Sequence, residues 1–415
     1  MTTLPSLGNV PTTWTVERAK WLLNRQRRAV RPQDGIVTAF RDGQVTLREN
    51  RRLEGFTNAL QEIGYQGIRR GDLVVHGMDG FAGAIGVSDS DGKASPVVHA
   101  YRPSAHMDAR YVAYALRTMA VNGYVTTLAK GIRERSTAFD AATLANVLLP
   151  VPPLQEQRCI AGFLDAETSR INSLMRTRSA QIAVLEERLD AVRDALFGEG
   201  TTGKSSTPLM YLTDPYRPIV YGIVQAGPEF PGGVPYIKTG DLKSLNPSSL
   251  SRTSPQIHQQ FHRAAVHPGD IVMAMRASIG AVAIVPPELS EANLTQGTAR
   301  IAAAEGVNNE WLFHALKTRL VREQCDLRAV GSTFRTLNIW DLRRITIATT
   351  RAEEQNELVR QFKTIEARHT SLQRDAKRQI ALLAERRQTL ITAAVTGQFD
   401  VSTASGRNVT EGVTA

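Results

Sequence analysis

The 415-residue chain repeats itself. Gly71-Asp72-Leu73-Val74-Val75 returns as Gly269-Asp270-Ile271-Val272-Met273, Glu156-Gln157 as Glu354-Gln355, and Glu187-Arg188 as Glu385-Arg386, each at a shift of 198. Tyr111, Ala115, Leu116 and Thr118 align with Trp311, Ala315, Leu316 and Thr318 at a shift of 200. Several anchors at one shift over more than a hundred residues mark a duplication, and a period near 200 is too long for a solenoid. The fold must therefore hold two copies of one two-part module.

Each copy opens with a mixed segment. Short apolar runs at 72–75, 84–87, 96–99, 234–238, 270–274 and 281–285 read as strands between turn signals such as Asp42-Gly43, Pro231-Gly232-Gly233 and Pro268-Gly269-Asp270. Residues 109–121 and 309–324 carry helical spacing. Both segments therefore read as α+β domains.

A long helix follows each domain. In the first, Leu164, Ile171, Arg178, Leu185 and Val192 recur every seven residues, and Thr168, Met175, Ile182, Leu189 and Leu196 form the partner row. That alternation is the seam of a coiled coil. Pro152-Pro153 stands at its start, with Gly198 and Gly200 past its end. The second row runs Leu358, Phe362, Ile365, His369, Leu372, Ala376, Ile380, Leu383, Leu390, Ala394, with a stutter between Ala376 and Ile380. Two such helices in one chain are expected to pair with each other; if they do so antiparallel, the two domains sit at opposite ends of a rod about a pseudo-twofold axis. The parts are expected at 1–150 (first domain), 151–198 (first helix), 199–208 (linker), 209–350 (second domain), 351–397 (second helix) and 398–415 (polar, unordered tail).

The junction after the first domain reads Leu149-Pro150-Val151-Pro152-Pro153-Leu154-Gln155-Glu156-Gln157, then Ile160-Ala161-Gly162-Phe163-Leu164-Asp165. With Leu-x-Glu-Arg at 185–188 and 383–386 and the ending Ala394-Val395-Thr396-Gly397, it closely resembles the specificity subunit of type I restriction-modification systems. Ser136-Thr137 and Ser332-Thr333, late in each domain, also look like family features. There are departures: the second junction, Thr349-Thr350-Arg351-Ala352-Glu353-Glu354-Gln355, lacks the prolines, and the first helix ends Ala195-Leu196-Phe197-Gly198. The resemblance implies two target-recognition domains, each reading one half of a bipartite DNA site, and two helices that form an antiparallel coiled coil and fix the gap between the half-sites. It also implies a non-catalytic subunit that holds two adenine-methylating subunits, to which motor-nuclease subunits can add.

Charge agrees once it is located. Fifty Lys+Arg against 40 Asp+Glu leave +10, a weak clue as a total. Residues 17–52 carry ten bases and four acids, residues 317–344 seven and three, but helix 155–197 six and seven. The excess thus sits in the domains where DNA contact is expected. Arginine outnumbers lysine there, and its fork can clamp a phosphate or pair with guanine. The candidate DNA-binding residues are Arg41, Gln44, Arg48, Arg51, Arg52, Arg70, Gln225, Lys238, Lys243, Arg276 and Arg335. Gln66 and Asn246 are further amides that suit adenine. The stretches 31–55 and 221–250 differ in sequence, so the two half-sites are expected to differ.

Other patterns have plainer readings. Gly198–Ser205 spells GxxxxGK[ST], but a heptad helix precedes it and Pro208 follows, whereas a phosphate loop needs a strand before and a helix after. Thr213-Asp214-Pro215-Tyr216 lacks the second proline of an amino-methyltransferase loop and reads as a turn. His258, His262 and His267 have metal-like spacing without a thiol or carboxylate to complete it, so they read as polar surface. No catalytic residue, cofactor or metal site is expected. Cys159 and Cys325, without a CxxC, fit a reducing compartment. With no secretory signal at the N-terminus and no bilayer-spanning segment, the expected location is the cytoplasm. Two rivals remain: a coiled-coil adaptor without sequence preference, and a stand-alone DNA-modifying enzyme.

Overall fold

The computed structural model describes residues 2–51, 62–128, 139–198, 205–332 and 335–401. Arg52, Ser136-Thr137, Thr333, Lys204 and most of the tail lie outside the described residues. The chain divides into two compact units, residues 1–178 with 378–415, and residues 179–377.

The first unit contains strands Thr15–Arg18 (β1), Leu23–Gln26 (β2), Val37–Ala39 (β3), Val45–Leu47 (β4), Leu73–His76 (β5), Ile85–Val87 (β6) and Val98–Pro103 (β7), helix Ala109–Val121 (α1), strand Leu148–Val151 (β8) and the start of helix Leu154–Phe197 (α2). Its antiparallel four-stranded sheet has the order β2-β7-β5-β6, and β1 pairs with β8. The second unit contains Ser205–Pro208 (β9), Val220–Tyr221 (β10), Val234–Ile237 (β11), Arg252–Thr253 (β12), Ile271–Ala274 (β13), Val282–Ile284 (β14), Asn293–Leu294 (β15), Thr298–Ile301 (β16), helices Asn309–Leu316 (α3) and Arg319–Arg328 (α4), strand Thr346–Thr349 (β17) and the start of helix Ala352–Val395 (α5). Its four-stranded sheet has the order β10-β16-β13-β14, and β9 pairs with β17. The repeat in the sequence is thus a repeat of topology. Both units are α+β.

Alternation along the central strand divides each unit into layers. Leu73 and Val75 face the core that holds Tyr111, Leu116 and Met119 of α1, while Val74 packs on the other side with Val37, Ala39 and Val45 of the β3–β4 hairpin. Ile271 and Met273 likewise face Trp311 and Leu316 of α3, and Val272 and Ala274 face Ile237 and Leu294. Both faces are covered, which explains the unbroken apolar runs.

The repeat anchors hold these layers together. Gly71 and Gly269 turn into the central strand at φ +86° and +89°, a region that favours glycine. The next residue, Asp72 or Asp270, is buried. Asp72 accepts the Arg69 backbone N–H at 2.8 Å and the Arg28 guanidinium. Asp270 accepts the His267 N–H at 2.8 Å and Arg217. Gln157, buried in the first turn of α2, accepts the N–H of Asp108 at 2.9 Å and donates to the carbonyl of Pro152 at 2.8 Å. Gln355 accepts from Asn308 N–H at 2.9 Å and donates to Thr350 O at 2.9 Å. Asp108 and Asn308 are themselves the N-caps of α1 and α3, so each glutamine ties the start of a long helix to the start of a core helix.

The long helices pair antiparallel within each unit. In the first, Ile171 packs with Leu390, Phe163 lies 5.6 Å from Phe399, and Arg387 donates to Asn172 Oδ1 at 2.7 Å. In the second, Phe197 meets Phe362 edge-on at 5.5 Å. The heptad row is not evenly covered: Leu164 and Ile171 are buried, Arg178 is half-buried, and Leu372 is exposed.

Three local expectations are corrected. The helix expected over 309–324 is two helices, broken at Lys317-Thr318, where Thr318 turns extended and its hydroxyl donates to Ala315 O. The run 96–99 begins in a turn, and its strand starts at Val98. Ser205–Pro208, at the end of the stretch expected as a linker, is strand β9.

His314 lies buried between Phe197 and Phe362, with ring centroids at 5.1 and 4.5 Å. Burial, reinforced by the charges of Arg193, Lys317 and Lys363, pushes its imidazole down to about 3. An unfolded histidine titrates near ~6.5. As pH falls below that value the unfolded state takes up the proton first, so acid destabilises the fold, by about 2 kcal/mol at pH 5. His314→Phe is therefore expected to lose about 2 kcal/mol less stability than the parent between pH 7 and pH 5, read by urea unfolding. Equal acid loss in both proteins would refute this assignment.

Candidate nucleic-acid interface

In the first unit the Asp42-Gly43 turn closes the β3–β4 hairpin, with Phe40 N–H donating to Gln44 O at 2.8 Å and Gly43 N–H to Phe40 O at 2.9 Å. Gly43, at φ +90°, lies over the half-buried Arg117 of α1, and a Cβ there would stand 2.3 Å from the guanidinium. The turn thus sits against the scaffold helix, and its left-handed φ favours glycine.

Beside the hairpin opens a cleft of about 580 Å³, lined among others by Phe40, Arg41, Arg48, Arg51, Tyr65 and His76. Arg41 donates to Asp79 Oδ1 at 2.8 Å. Arg51 makes a two-point ion pair with Asp42, lies 4.1 Å from the Phe40 ring centre, and donates to Gln44 Oε1 at 3.3 Å. Arg48 Nε lies 3.5 Å from Thr38 Oγ1. Burial raises the Asp42 carboxyl, but hydrogen bonds from Arg51 and the Gln44 N–H, with the charges of Arg51 and Arg117, outweigh it and leave Asp42 below the ordinary range. Burial lowers the His76 imidazole, with Asp79 opposing and Arg41 adding to the shift, and Nδ1 accepts the Asp79 N–H at 3.0 Å.

The structure therefore gathers Arg41, Gln44, Arg48 and Arg51 along one hairpin. It does not bring Arg70 to them. Arg70 precedes β5, with its N–H on Asp91 Oδ1, whereas the cleft lies at the His76 end of that strand. Sequence reading missed Asp42 and Asp79, the carboxylates that orient two of the arginines. The Asp-Gly turn was the available signal for Asp42.

In the second unit the candidates meet around Gln296-Gly297. Gly297 O accepts from Met275 N–H at 2.8 Å and from Thr239 Oγ1 at 3.2 Å, and Gln296 N–H donates to Ile223 O at 2.9 Å. Arg276, Lys238 and Gln225 thus lie on three segments joined at one place, all exposed. Lys238 Nζ donates to Ser251 Oγ at 2.6 Å. Arg276 bridges to Thr336, next to Arg335, which pairs with Asp326 at 3.1 Å. Lys243 ends the short 3₁₀ turn that begins at Thr239. Ala277, following Arg276, has φ +58°, unique for a non-glycine among the described residues, and marks strain in the loop that carries the arginine.

The other patterns resolve locally. Helix α2 precedes residues 199–204 and strand β9 follows them, the reverse of a phosphate-loop order. Asp214 Oδ1 accepts the Tyr216 N–H in a turn. The three histidines turn to different partners: His258 to Asn293 and Glu291, His262 to Gln259 O, His267 to Ser290 O. No helix among the described residues is long and apolar enough to cross a membrane.

Residues 224–382 match the family model of the type I restriction modification DNA specificity domain. The chain is 24% identical over 290 residues to the type I restriction enzyme EcoBI specificity subunit of Escherichia coli, covering 63% of this chain and 60% of that relative. It is 22% identical to the putative type I restriction enzyme MjaX specificity subunit of Methanocaldococcus jannaschii, across 96% of both. These matches make the chain similar to type I restriction-modification specificity subunits. Two solved structures share this chain's fold. A chain from work on complex assembly and conformational transition of the type I R-M system aligns at TM-score 0.73 and 19% identity, over 94% of this chain and 99% of that one. The HsdS subunit from Thermoanaerobacter tengcongensis aligns at TM-score 0.52 and 20% identity, over 94% and 98%. The specificity-domain match includes Gln225, Lys238, Lys243, Arg276 and Arg335, while the arginine cleft of the first unit lies outside it.

Proposed function

We propose that this chain is the DNA-specificity subunit of a cytoplasmic type I restriction-modification complex. Its two units read the two halves of an asymmetric bipartite site. Its partners are double-stranded DNA and two adenine-methylating subunits, to which restriction-translocase subunits can add. In this reading the chain is a non-catalytic subunit. The observation that bears this reading is a scaffold made twice with a different basic element on each copy: the β3–β4 hairpin in one, and the β12-β11-β15 sheet with its loops in the other. Phosphate contacts from Arg41, Arg48, Lys238, Lys243 and Arg276 supply affinity, and a few base contacts supply discrimination.

Methylome sequencing of the host with and without the gene tests the reading. An adenine-methylated motif with two unlike halves and a fixed gap is expected to vanish on deletion. A palindromic motif would overturn the asymmetry. Methyl transfer by the purified chain alone would favour the stand-alone enzyme, and DNA binding without sequence preference in a salt titration would favour the adaptor.

A further inference from the structure

The two units share their scaffold strands and differ in what is inserted between the first strand of the four-stranded sheet and the central one. In the first unit, the segment between β2 and β5 carries the β3–β4 hairpin. In the second, the segment between β10 and β13 carries β11, β12 and a short helix at Pro255–Gln260. Each insert packs on the sheet face opposite the core helix. What a duplicated frame does not share is where unlike half-sites must be told apart.

Within the first insert the arginines are held differently. Arg41 is 67% exposed at its side chain and has one carboxylate contact, to Asp79. Arg51 is fixed on three sides. Asp42 takes Nη1 at 2.9 Å and Nη2 at 2.8 Å, Gln44 Oε1 lies 3.3 Å from Nη1, and the Phe40 ring lies beneath Cζ at 4.1 Å. Asp42 is in turn placed by the hairpin turn seated on Arg117. A phosphate requires charge in its neighbourhood, whereas a base edge requires a donor pair pointing in one direction. A guanidinium has five N–H donors, so a two-point pair with Asp42 leaves donors for another acceptor pair. Guanine O6 and N7 in the major groove match that fork, and an ammonium does not.

We propose that Arg51 reads a guanine in the first half-site, with Asp42, Phe40 and Gln44 as positioning residues and Arg41 contacting a phosphate. This rests on the specificity-subunit reading and adds which side chain reads which base. The test is methylome sequencing of hosts carrying the full-length chain as wild type, Arg51→Ala, Arg51→Lys, Asp42→Asn and Arg41→Ala. Arg51→Ala is expected to cut discrimination at one G·C pair of one half-site by roughly 10- to 100-fold, leaving the other half-site unchanged. Arg51→Lys fails to restore it, and Asp42→Asn relaxes the same position more weakly, which a merely structural role would not do. Arg41→Ala lowers methylation evenly across sites.

An unchanged motif in Arg51→Ala overturns the proposal, as does loss spread evenly over all positions or relaxation in both halves. If Arg51→Ala yields no folded protein, Arg51→Lys and Asp42→Asn decide in the same way. A wild type without a bipartite motif overturns the specificity-subunit reading itself, an outcome distinct from an unchanged motif.

Discussion

Replacing Trp311 with alanine is expected to remove about 4 kcal/mol from the stability of the second unit. The indole is fully buried on α3, in the core formed with Ile271, Met273, Leu342 and Phe362, so truncation leaves a cavity bounded by sheet and helices that cannot close over it. Its N–H has no hydrogen-bond partner among the described residues, so the loss is one of packing. The other copy of the repeat supplies the control, since Tyr111 fills the same place on α1 with its hydroxyl near Pro150 O at 3.4 Å. Trp311→Tyr should accordingly cost about 1–2 kcal/mol. Urea unfolding followed by far-ultraviolet circular dichroism measures both, with the transitions of the two units fitted separately. A loss below about 1 kcal/mol for the alanine variant would mean that the site collapses, contrary to the packing described.

The Gly-Asp repeat predicts a second loss, from charge. Asp72→Ala and Asp270→Ala are each expected to destabilise their own unit by about 2–3 kcal/mol. Each substitution leaves Arg28 or Arg217 without its carboxylate and orphans a backbone N–H, from Arg69 or His267, beside a buried strand. The exposed Glu305, changed to alanine, should move stability by less than about 0.5 kcal/mol. Thermal melts of the three variants distinguish the cases. If the aspartate variants melt with the Glu305 variant, the buried carboxylates do not hold the strand starts.

Much of the fold was legible because duplication records which residues the scaffold needs. Asp72 and Asp270 latch the central strand, Gln157 and Gln355 latch the long helices, and Tyr111 and Trp311 fill the core. Even the lost prolines of the second junction are explained. Gln157 bonds the carbonyl of Pro152 and Gln355 that of Thr350, and a backbone carbonyl is available whatever the side chain. Helices α2 and α5 both run 44 residues despite the difference.

What was not legible depends on contacts distant in sequence. The pairing of β1 with β8 leaves no local pattern, and the helix break at Thr318 is set by a hydroxyl that bonds backward. In the candidate interface, composition located the arginines but not their partners. Arg51 and Arg70 look alike as letters, yet one is pinned by Asp42 beside the cleft and the other stands at the far end of a strand. Local charge density marks a neighbourhood, and the carboxylates that aim each cation emerge only from the fold.

The division of the chain also orders its synthesis. The second unit is one continuous stretch, Ser179–Lys377, whereas the first needs residues from Arg378 onward. Ile391, Ala394 and Val395 belong to the same core as Trp14, Leu116 and Leu164, so that core stays incomplete until the last helix leaves the ribosome. At about 5–20 residues per second, some 200 further residues impose a wait on the order of 10–40 s. The segment translated first is therefore completed last, and in the meantime its apolar surfaces are open to chaperones or to premature partners.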